Sequence, residues 1–286
     1  MHTQTSTSAT SALDPVPPFR TATAITVQPY RLPGLESLAE HSDDQLWLQD
    51  ALLGPFSGDI VGYLGLARST GGPVLDLGSG AGRLAVPFAC HGFEVEAVDR
   101  HAESLRRLQA RAEDRGRPIR DRMTTTCSDL TRLHLRESYQ LVLLAGTLIA
   151  AVAPSARLGF FHSIAAHVGR GGALAFDYTA HDTEALSMDP VRNWTFQVPR
   201  FDGVTEWVVA QQVFDPAAMK ERITYYSKRS GTDGTHGSIT STVKWIVDEV
   251  NLTQDLHAAG LCVVERRQRR LDNRTRSVML VCRCAA

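Results

Sequence analysis

The chain has 286 residues, 43% of them hydrophobic and 21% charged, which is ordinary for a globular protein with a substantial core. Thirty Lys and Arg residues against 31 Asp and Glu residues give a formal net charge of -1, which argues against a protein built to bind nucleic acid or an anionic membrane. No apolar stretch approaches the ~20 residues of a membrane span. Five cysteines without metal-ligand spacing are typical of free thiols, so we expect a cytoplasmic protein without a metal site.

The predicted elements begin after an N-terminal tail. Residues 1–24 are rich in Ser, Thr, Ala and Pro, which predicts a flexible segment. Residues 25–70 predict an N-terminal helical cap, with apolar residues at helical spacing between Asp43 and Tyr63. Residues 71–189 then alternate short apolar strands with amphipathic helices. This order predicts a Rossmann-like α/β core with a doubly wound, mostly parallel sheet of seven strands.

The alternation of strand and helix stops after Asp189. Residues 190–247 contain four strand-like segments separated by turns rich in Gly and Asp. Strands that follow one another without a helix between them predict an antiparallel β insert. Residues 248–286 return to a helix and a last pair of strands, which we expect to complete the core sheet.

A glycine-rich turn follows the first core strand, in the segment Val74–Arg83 (VLDLGSGAGR). Asp76 stands near the end of the strand, and Gly78, Gly80 and Gly82 alternate behind it. Glycine lets the backbone approach a ligand closely, and the start of the following helix offers N–H groups without partners. Because ligands bind such sheets in the crevice beyond the strand ends, this turn predicts a ligand site.

Two other phosphate-binding patterns fit this turn poorly. The dinucleotide fingerprint requires a glycine at the sixth position counted from Gly78, where this chain has Arg83. A P-loop requires Gly-Lys-Ser or Gly-Lys-Thr, which the turn lacks. A plain strand-to-helix turn without a ligand would not account for three alternating glycines behind a strand-terminal Asp.

Two more carboxylates stand at the ends of the next two strands. Asp99 ends the second strand, where an acid is placed to accept hydrogen bonds from both hydroxyls of a ribose. Asp129 follows the third strand, where a carboxylate can accept from an adenine amine. A single Asp at a strand end is usually a cap or a turn former. Three of them, with Asp76, at the tips of consecutive parallel strands would line one edge of the sheet.

Because it carries this glycine-rich turn and these three strand-tip acids, the segment from about Gly72 to Tyr178 resembles the core of the class I S-adenosylmethionine-dependent methyltransferases. The resemblance implies S-adenosyl-L-methionine as the cofactor and S-adenosyl-L-homocysteine as its product. The turn Gly169–Gly172 is similar to a Pro-Gly-Gly pattern of the family, with Arg170 in place of the proline. The cofactor-binding residues that we assign on this basis are Asp76, Gly78, Ser79, Gly80, Gly82, Arg83, Asp99, Arg100, Ser128, Asp129, Leu130, Ala145 and Gly146.

The antiparallel insert resembles the strands that cover the active site of small-molecule N-methyltransferases of the aminosugar and glycine type. This resemblance implies a substrate lid and a small-molecule or short-peptide acceptor, with nitrogen ahead of oxygen and carbon. It fits the tailoring of a natural product. The Asn-Pro-Pro-aromatic signature of nucleobase methylation is absent, so we expect no nucleic-acid substrate. A non-catalytic cofactor-binding fold and a dinucleotide oxidoreductase are the alternatives, and a homodimer is left open.

Candidate residues for the acceptor lie near the ends of the predicted elements. The substrate-binding candidates are Tyr30, Thr147, Tyr178, Asp182 and Trp194. The resemblance places Thr147 beside the sulfonium. His181, in the segment after the fifth strand, is predicted as a proton acceptor or orienting group, with an ordinary loop histidine as the alternative reading. Trp194 begins the insert, and Tyr30 precedes the first helices. For both aromatics, a plain packing contact is the alternative.

Overall fold

The computed structural model describes residues 35–37, 58–199, 205–231 and 234–285. The predicted tail, Tyr30 and most of the predicted helical cap lie outside these residues. The strands are β1 Leu35–Ser37, β2 Val74–Leu77, β3 Val95–Asp99, β4 Met123–Cys127, β5 Tyr139–Leu144, β6 Val168–His181, β7 Val191–Pro199, β8 Thr205–Asp215, β9 Lys220–Gly231, β10 Gly234–Trp245, β11 Leu261–Arg270 and β12 Thr275–Cys284. The α-helices are α1 Ile60–Thr70, α2 Ala85–Cys90, α3 Ala102–Asp114, α4 Arg117–Arg120, α5 Pro154–Ala165, α6 Thr183–Met188 and α7 Glu249–Ala258.

The central sheet has seven strands in the order β11-β12-β6-β5-β2-β3-β4. Strands β4, β3, β2, β5 and β6 are parallel, whereas β12 runs antiparallel to β6 and β11 runs antiparallel to β12. The chain moves outward from β2 through β3 to β4 and then returns to the other side of β2 with β5. This reversal makes a crevice at the carboxyl ends of β2 and β5, and the predicted doubly wound fold is confirmed.

Helices cover both faces of this sheet, which explains why its central strands are almost entirely apolar. All four residues of β2 are buried. On one face, Leu75 and Val142 pack in a cluster with Phe161 of α5 and Leu252 of α7. On the other face, Val74 and Leu141 of the sheet pack in a second cluster. Its helix residues include Tyr63 of α1, Phe88 of α2 and Leu108 of α3. The carboxyl tips of the strands are therefore held between two packed layers.

A second sheet has five strands in the order β1-β10-β9-β8-β7, and four of them, β7 to β10, are inserted between α6 and α7. Strands β7 to β10 form an antiparallel meander, and β1 adds to its edge parallel to β10. We call the strands β7 to β10 the lid. The predicted antiparallel insert is thus confirmed, and β9 and β10 are each 12 residues long. Register pairs Lys244 with Glu221 and Thr240 with Tyr225, so these four side chains share one face of the lid.

Strand β6 differs from its prediction at both ends. The prediction placed a turn at Gly169–Gly172 and ended the strand at Tyr178, but β6 runs through the turn and continues to His181. The first end carries a register irregularity, since Val168 pairs with Tyr139 and Ala173 pairs with Leu141. The second end is extended because β12 pairs with β6 as far as His181. Tyr178 and His181 are therefore strand residues, and α6 follows directly.

Candidate functional site

A cavity of about 1500 Å³ lies between the carboxyl edge of the central sheet and the lid. The glycine-rich turn after β2, the tips of β3, β5 and β6, and residues 240–244 of β10 line it. The predicted site residues that line this cavity are Asp76, Gly78, Ser79, Gly80, Gly82, Arg83, Asp99, Arg100, Asp129, Leu130, Ala145, Gly146 and Thr147. Residues separated by 71 positions in the chain thus meet at one edge of the fold, because parallel strands bring their ends together.

The glycine-rich turn is fixed by its own backbone. The N–H groups of Gly78 and Ser79 both donate to the carbonyl of Val98, at 2.8 and 3.1 Å. Gly78 has a φ of +68°, in the left-handed region that favours glycine, and a methyl group there would overlap the side chain of Leu148. The turn is therefore held close to the residues that follow β5. It leaves no room for a side chain between them.

Asp76 is the fully buried acid at the start of this turn. Burial raises the pKa of Asp76 to about 7, while the nearby guanidinium of Arg83 acts in the opposite direction. Its Oδ2 atom is buried and has no hydrogen-bond partner among the described residues. A buried carboxylate oxygen with free lone pairs needs a donor, and a cationic donor is the best match. Asp76 thus fits the amino group of an amino-acid-like ligand.

Asp99 and Asp129 each use part of their carboxylate within the chain. Asp99 accepts from the N–H of Gly80 at 2.9 Å and from the N–H of His101 at 2.8 Å. Asp129 accepts from the backbone N–H and the hydroxyl of Thr131, both at 2.8 Å, and these bonds lower its pKa. A carboxylate has about four acceptor positions, so both acids retain lone pairs for hydroxyl or amine groups of a ligand.

Arg83 forms an ion pair with Asp59, a residue that the sequence did not single out. Its guanidinium donates to both carboxylate oxygens of Asp59, at 2.7 and 2.9 Å. Asp59 precedes α1 and also lines the cavity. This two-point contact is the strong geometry for an arginine and a carboxylate, and it joins the start of α1 to the glycine-rich turn.

Asp177 of β6 is a second, partly buried acid at the cavity that the site assignment omitted. It accepts from the Tyr63 hydroxyl at 2.7 Å, from the Gly146 N–H at 2.9 Å and from the Thr147 N–H at 3.0 Å. Burial raises its pKa, whereas these hydrogen bonds act to lower it. Thr147 has a φ of +60°, which is unusual for a β-branched residue. Asp177 therefore holds the turn after β5 in its strained conformation.

Lys244 of β10 brings the lid to the same turn. Its Nζ atom donates to the hydroxyl of Thr147 at 3.1 Å, and Lys244 lines the cavity. The hydroxyl of Tyr225 and those of neighbouring threonines of β10 complete a polar lid face over the cavity. Sequence reasoning missed Lys244 because a lysine on an antiparallel strand usually faces solvent. The strand alternation alone does not say which face of the lid is covered.

His181 does not line the cavity. Its side chain is 4% exposed, its ring lies edge-on to Phe214 with centroids 5.1 Å apart, and its Nε2 atom is 3.9 Å from Glu221 Oε2. Burial lowers the pKa of His181 to about 4, so the imidazole is neutral near pH 7. The role of His181 as a proton acceptor remains a prediction without a contact to the cavity.

Four other predicted residues do not line the cavity either. Tyr178 is fully buried on the opposite face of the central sheet, among the apolar side chains packed there. Asp182 caps α6 by accepting from the N–H of Ala185 at 3.0 Å. Trp194 is 41% exposed on β7, and Ser128 is half-buried beside Asp129. The structure does not bring Tyr178, Asp182 or Trp194 to the site.

Neither a metal site nor a membrane span is found in the described residues. No group of three or more His, Cys, Asp or Glu side chains there is arranged to hold a metal ion. Among the same residues, no helix has the length and hydrophobicity to cross a bilayer.

Comparisons with known proteins agree with this geometry. Residues 74–172 match the family model described as "Methyltransferase domain". A comparison with curated proteins gave no match. Among solved structures, the sugar N-methyltransferase KedS8 from Streptoalloteichus sp ATCC 53650 superposes with a TM-score of 0.67 at 14% identity, over 87% of this chain and 95% of that one.

Two further structures are similar over most of their length. A S-adenosylmethionine-dependent methyltransferase from Clostridium acetobutylicum ATCC 824 has a TM-score of 0.66 at 14% identity, over 85% of this chain and 99% of that one. The glycopeptide N-methyltransferase MtfA, complexed with sinefungin, has a TM-score of 0.62 at 17% identity, over 93% and 99%. The likeness covers 85–93% of this chain, and it shows a shared fold.

The site fits an adenosyl amino acid. The three strand-tip acids, among them Asp76 with its unpartnered oxygen, can accept hydrogen bonds from the amino and hydroxyl groups of such a ligand, and the glycine-rich turn lets it approach closely. Together with the family match and the strand order, they identify residues 74–172 as a class I S-adenosylmethionine-dependent methyltransferase domain, with S-adenosyl-L-methionine as its cofactor.

Proposed function

We propose that the chain transfers a methyl group to an amine nitrogen of a small molecule or a short peptide, in the tailoring of a natural product. The observation that carries this proposal is the covered cavity, in which a polar lid face lies over the turn at Gly146 and Thr147. A cavity of about 1500 Å³ accommodates a cofactor and a small acceptor together, but not a folded macromolecule.

The similar structures support the choice of nitrogen. KedS8 is named as a sugar N-methyltransferase and MtfA as a glycopeptide N-methyltransferase, and the similarities cover 87% and 93% of this chain. Sugars and peptides are rich in hydroxyl and amide groups. The hydroxyls of Thr147, Tyr225 and Thr240 give this cavity partners for such groups.

The residues of the chain perform binding, orientation and exclusion of water. Asp76 holds a cationic amino group, Asp99 accepts from ribose hydroxyls and Asp129 from an adenine amine. The cofactor supplies an activated methyl group on a sulfonium, so the acceptor needs only correct position and a free lone pair. Asp177 fixes the turn beside which the acceptor lies, and the lid separates that position from bulk solvent.

The acceptor amine must be neutral when it reacts. A primary amine that enters protonated can release its proton to water at the mouth of the cavity, and an assigned protein base is then unnecessary. Methylation of an alcohol or a phenol would more often require a base within hydrogen-bond reach.

Calorimetry followed by a labelled-methyl assay tests this proposal. We expect S-adenosyl-L-homocysteine to bind at micromolar concentration, and Asp99→Ala to weaken that binding by about 10-fold or more through loss of the ribose contacts. A panel of amines, phenols, alcohols and short peptides then identifies the acceptor atom. Binding without transfer to any acceptor would favour a non-catalytic cofactor-binding fold. Transfer only to phenols or alcohols would replace nitrogen by oxygen.

The setting of the reaction belongs to the same proposal. All five cysteines are free thiols, as expected of a protein that works in the cytoplasm. The proposed partner is the acceptor itself, with no nucleic acid and no membrane. A homodimer remains an expectation, which sedimentation of the purified chain would decide.

A further inference from the structure

The lid places one ammonium group at the acceptor end of the cavity. Lys244 lies on the lid face that is turned toward the cavity, and its Nζ atom is 3.1 Å from Thr147 Oγ1. Thr147 follows Gly146, at the tip of β5, beside the position that we assign to the reacting methyl group. A group held by Lys244 would therefore lie close to the nucleophile.

The hydrogen bond to Thr147 satisfies only part of this ammonium. A lysine carries three N–H donors, and a neutral hydroxyl accepts one of them. In the part of the chain that the structure describes, no carboxylate oxygen lies within 4.0 Å of Lys244 Nζ. A half-buried cation in a cavity wall is best satisfied by an anionic acceptor, which is shorter-bonded and stronger than a neutral one.

The acid opposite Lys244 on the lid, Glu221, is hydrogen-bonded to a different residue. Glu221 lies opposite Lys244 in the register of β9 and β10, and it accepts a hydrogen bond from Gln212. Glu221 is buried, and burial raises its pKa although Lys244 acts in the opposite direction. Glu221 limits the net positive charge of this region, so the site suits a singly charged group rather than a dianion.

Two further hydroxyl side chains line the cavity on the same face of the lid. Tyr225 and Thr240 face each other across β9 and β10, on the lid face that carries Lys244, and both line the cavity. Burial raises the pKa of Tyr225 to about 12, so its hydroxyl remains a proton donor at neutral pH. The Lys244 ammonium beside the hydroxyl of Thr147 is a good environment for a carboxylate, and Tyr225 and Thr240 add neutral polar groups to the same cavity wall.

We propose that Lys244 and Thr147 form a subsite for a carboxylate of the acceptor, and that the acceptor is an amino acid or a peptide whose carboxylate lies next to the methylated nitrogen. This inference rests on the proposed function, because it names the substrate class of the same cavity. It predicts a strong preference for carboxylates over carboxamides that are otherwise identical.

Matched pairs of acceptors test the subsite. The probes are glycine with glycinamide, alanine with alaninamide, and glycylglycine with its amide, and 2-aminoethyl phosphate serves as a dianion. Each is titrated by calorimetry into the protein saturated with S-adenosyl-L-homocysteine, up to about 10 mM, and each is assayed for methyl transfer. We expect the carboxylates to bind about 10- to 100-fold more tightly than the amides, and more tightly than the phosphate.

Three variants test whether Lys244 is the source of the preference for carboxylates over carboxamides. Lys244→Met is expected to abolish it without weakening cofactor binding, and Lys244→Arg is expected to retain it. Lys220→Met is the matched control, because Lys220 lies on the same lid but packs over the ring of Trp245, with its Nζ atom 4.3 Å from the ring centroid. Lys220→Met should leave the preference intact.

The outcomes separate this inference from the proposed function. Equal binding of carboxylate and carboxamide, binding of neither, or a preference that survives in Lys244→Met would overturn the subsite. An equal loss of turnover for both members of a pair in Lys244→Met would also overturn it, because Lys244 would then act in lid docking or proton transfer. Carboxylate binding without methylation of nitrogen would retain the subsite and reject N-methylation. If amines without a carboxylate were methylated as well as the amino acids, the subsite would be rejected and N-methylation would be retained.

Discussion

The backbone N–H of Thr147 donates to the partly buried carboxylate of Asp177 at 3.0 Å, across the carboxyl tips of β5 and β6. Asp177 accepts from Gly146 in the same turn and from Tyr63 in α1. A non-glycine residue with a φ of +60° persists only where its surroundings determine it. Here those surroundings are one side chain, which ties the turn nearest the reaction to the helical layer behind it.

Replacement of Asp177 by alanine removes three hydrogen bonds at once. The N–H groups of Gly146 and Thr147 and the hydroxyl of Tyr63 lose their acceptor, and buried donors without partners cost about 1–3 kcal/mol each. Since water can enter from the cavity, we expect a loss of about 3 kcal/mol in the free energy of unfolding, measured with urea. Turnover should fall more than cofactor affinity because the turn loses its support.

Tyr63→Phe is the matched control for this effect. It removes one donor and leaves both backbone contacts of Asp177, so we expect a loss of about 1 kcal/mol and nearly normal turnover. If Asp177→Ala were no more harmful than Tyr63→Phe, the two backbone bonds would not support the turn.

The central sheet could be predicted because its residues carry local signals. Strands β2 and β5 are short apolar runs because both faces are covered, and the glycine-rich turn marks the edge at which ligands bind. The lid could be predicted from successive strands without helices. These features depend on neighbours in sequence, and so a single sequence reveals them.

The acceptor end of the site could not be predicted in the same way. The end of β6 is set by its pairing with β12, about 100 residues later, and no local signal reports that pairing. Had the strand been extended to His181, its alternation would have placed Asp177 and Thr179 at the cavity and Tyr178 on the opposite face, as observed. The contact between Lys244 and Thr147 depends on how the lid docks, which strand periodicity does not specify.

Cofactor binding is expected to depend on pH through Asp76. Burial raises the pKa of Asp76 to about 7, and a cationic amino group binds only the ionised carboxylate. Affinity for S-adenosyl-L-homocysteine should therefore rise roughly 10- to 30-fold between pH 5.5 and 7.5, with proton release on binding. Calorimetry in two buffers of different ionisation enthalpy measures both quantities. Above about pH 8 the ligand's own amino group loses its proton, and affinity should decline.

Two variants identify the group responsible. Asp76→Asn should bind weakly and without this rise between pH 5.5 and 7.5. Asp99→Asn should bind weakly at every pH but retain a rise, displaced to slightly lower pH because the charge of Asp99 contributes to the raised pKa of Asp76. An unchanged rise in Asp76→Asn would assign the titration to another residue.

The same shift has a consequence for stability without cofactor. Because the folded-state pKa of Asp76 is raised above the ordinary value of 3.8, its contribution is fully present below about pH 4 and is lost as the pH rises to about 7. Asp76→Asn should therefore raise the melting temperature by a few degrees at pH 8 and by less at pH 4. A larger gain at pH 4 than at pH 8 would contradict the burial of an ionisable group at this position.

Gly82 is expected to matter for packing as well as for the site. A methyl group on Gly82 would lie 2.8 Å from Leu108 Cγ, and its φ is +85°. Overpacking and backbone strain together predict that Gly82→Ala lowers the free energy of unfolding by about 2–4 kcal/mol. Gly92 has a φ of +91° with no atom within 4 Å of an added methyl group, so Gly92→Ala measures the backbone strain alone, about 1–2 kcal/mol.

The packing share of that loss can be isolated with Leu108→Ala. In the double variant the added methyl group no longer meets Leu108, so the two changes should be less harmful together than the sum of the single effects, by about 1 kcal/mol. Strict additivity in urea unfolding would show that contact with Leu108 is not the source of the packing loss.

The sequence and the structure predict different roles for His181. As a proton acceptor, it would lower turnover when replaced by alanine. As a buried neutral imidazole packed between Phe214 and Glu221, it would instead lower stability. The structure favours the second outcome, because His181→Ala opens a cavity beneath the lid and removes the imidazole from beside a buried acid. We expect a loss of about 2–3 kcal/mol in the free energy of unfolding and a turnover within about threefold of the unaltered enzyme.

His181→Phe separates the two roles, since it fills the same space without a nitrogen atom. Turnover lost in His181→Phe, together with normal stability, would return the imidazole to the reaction, and recovery of both would assign it to packing.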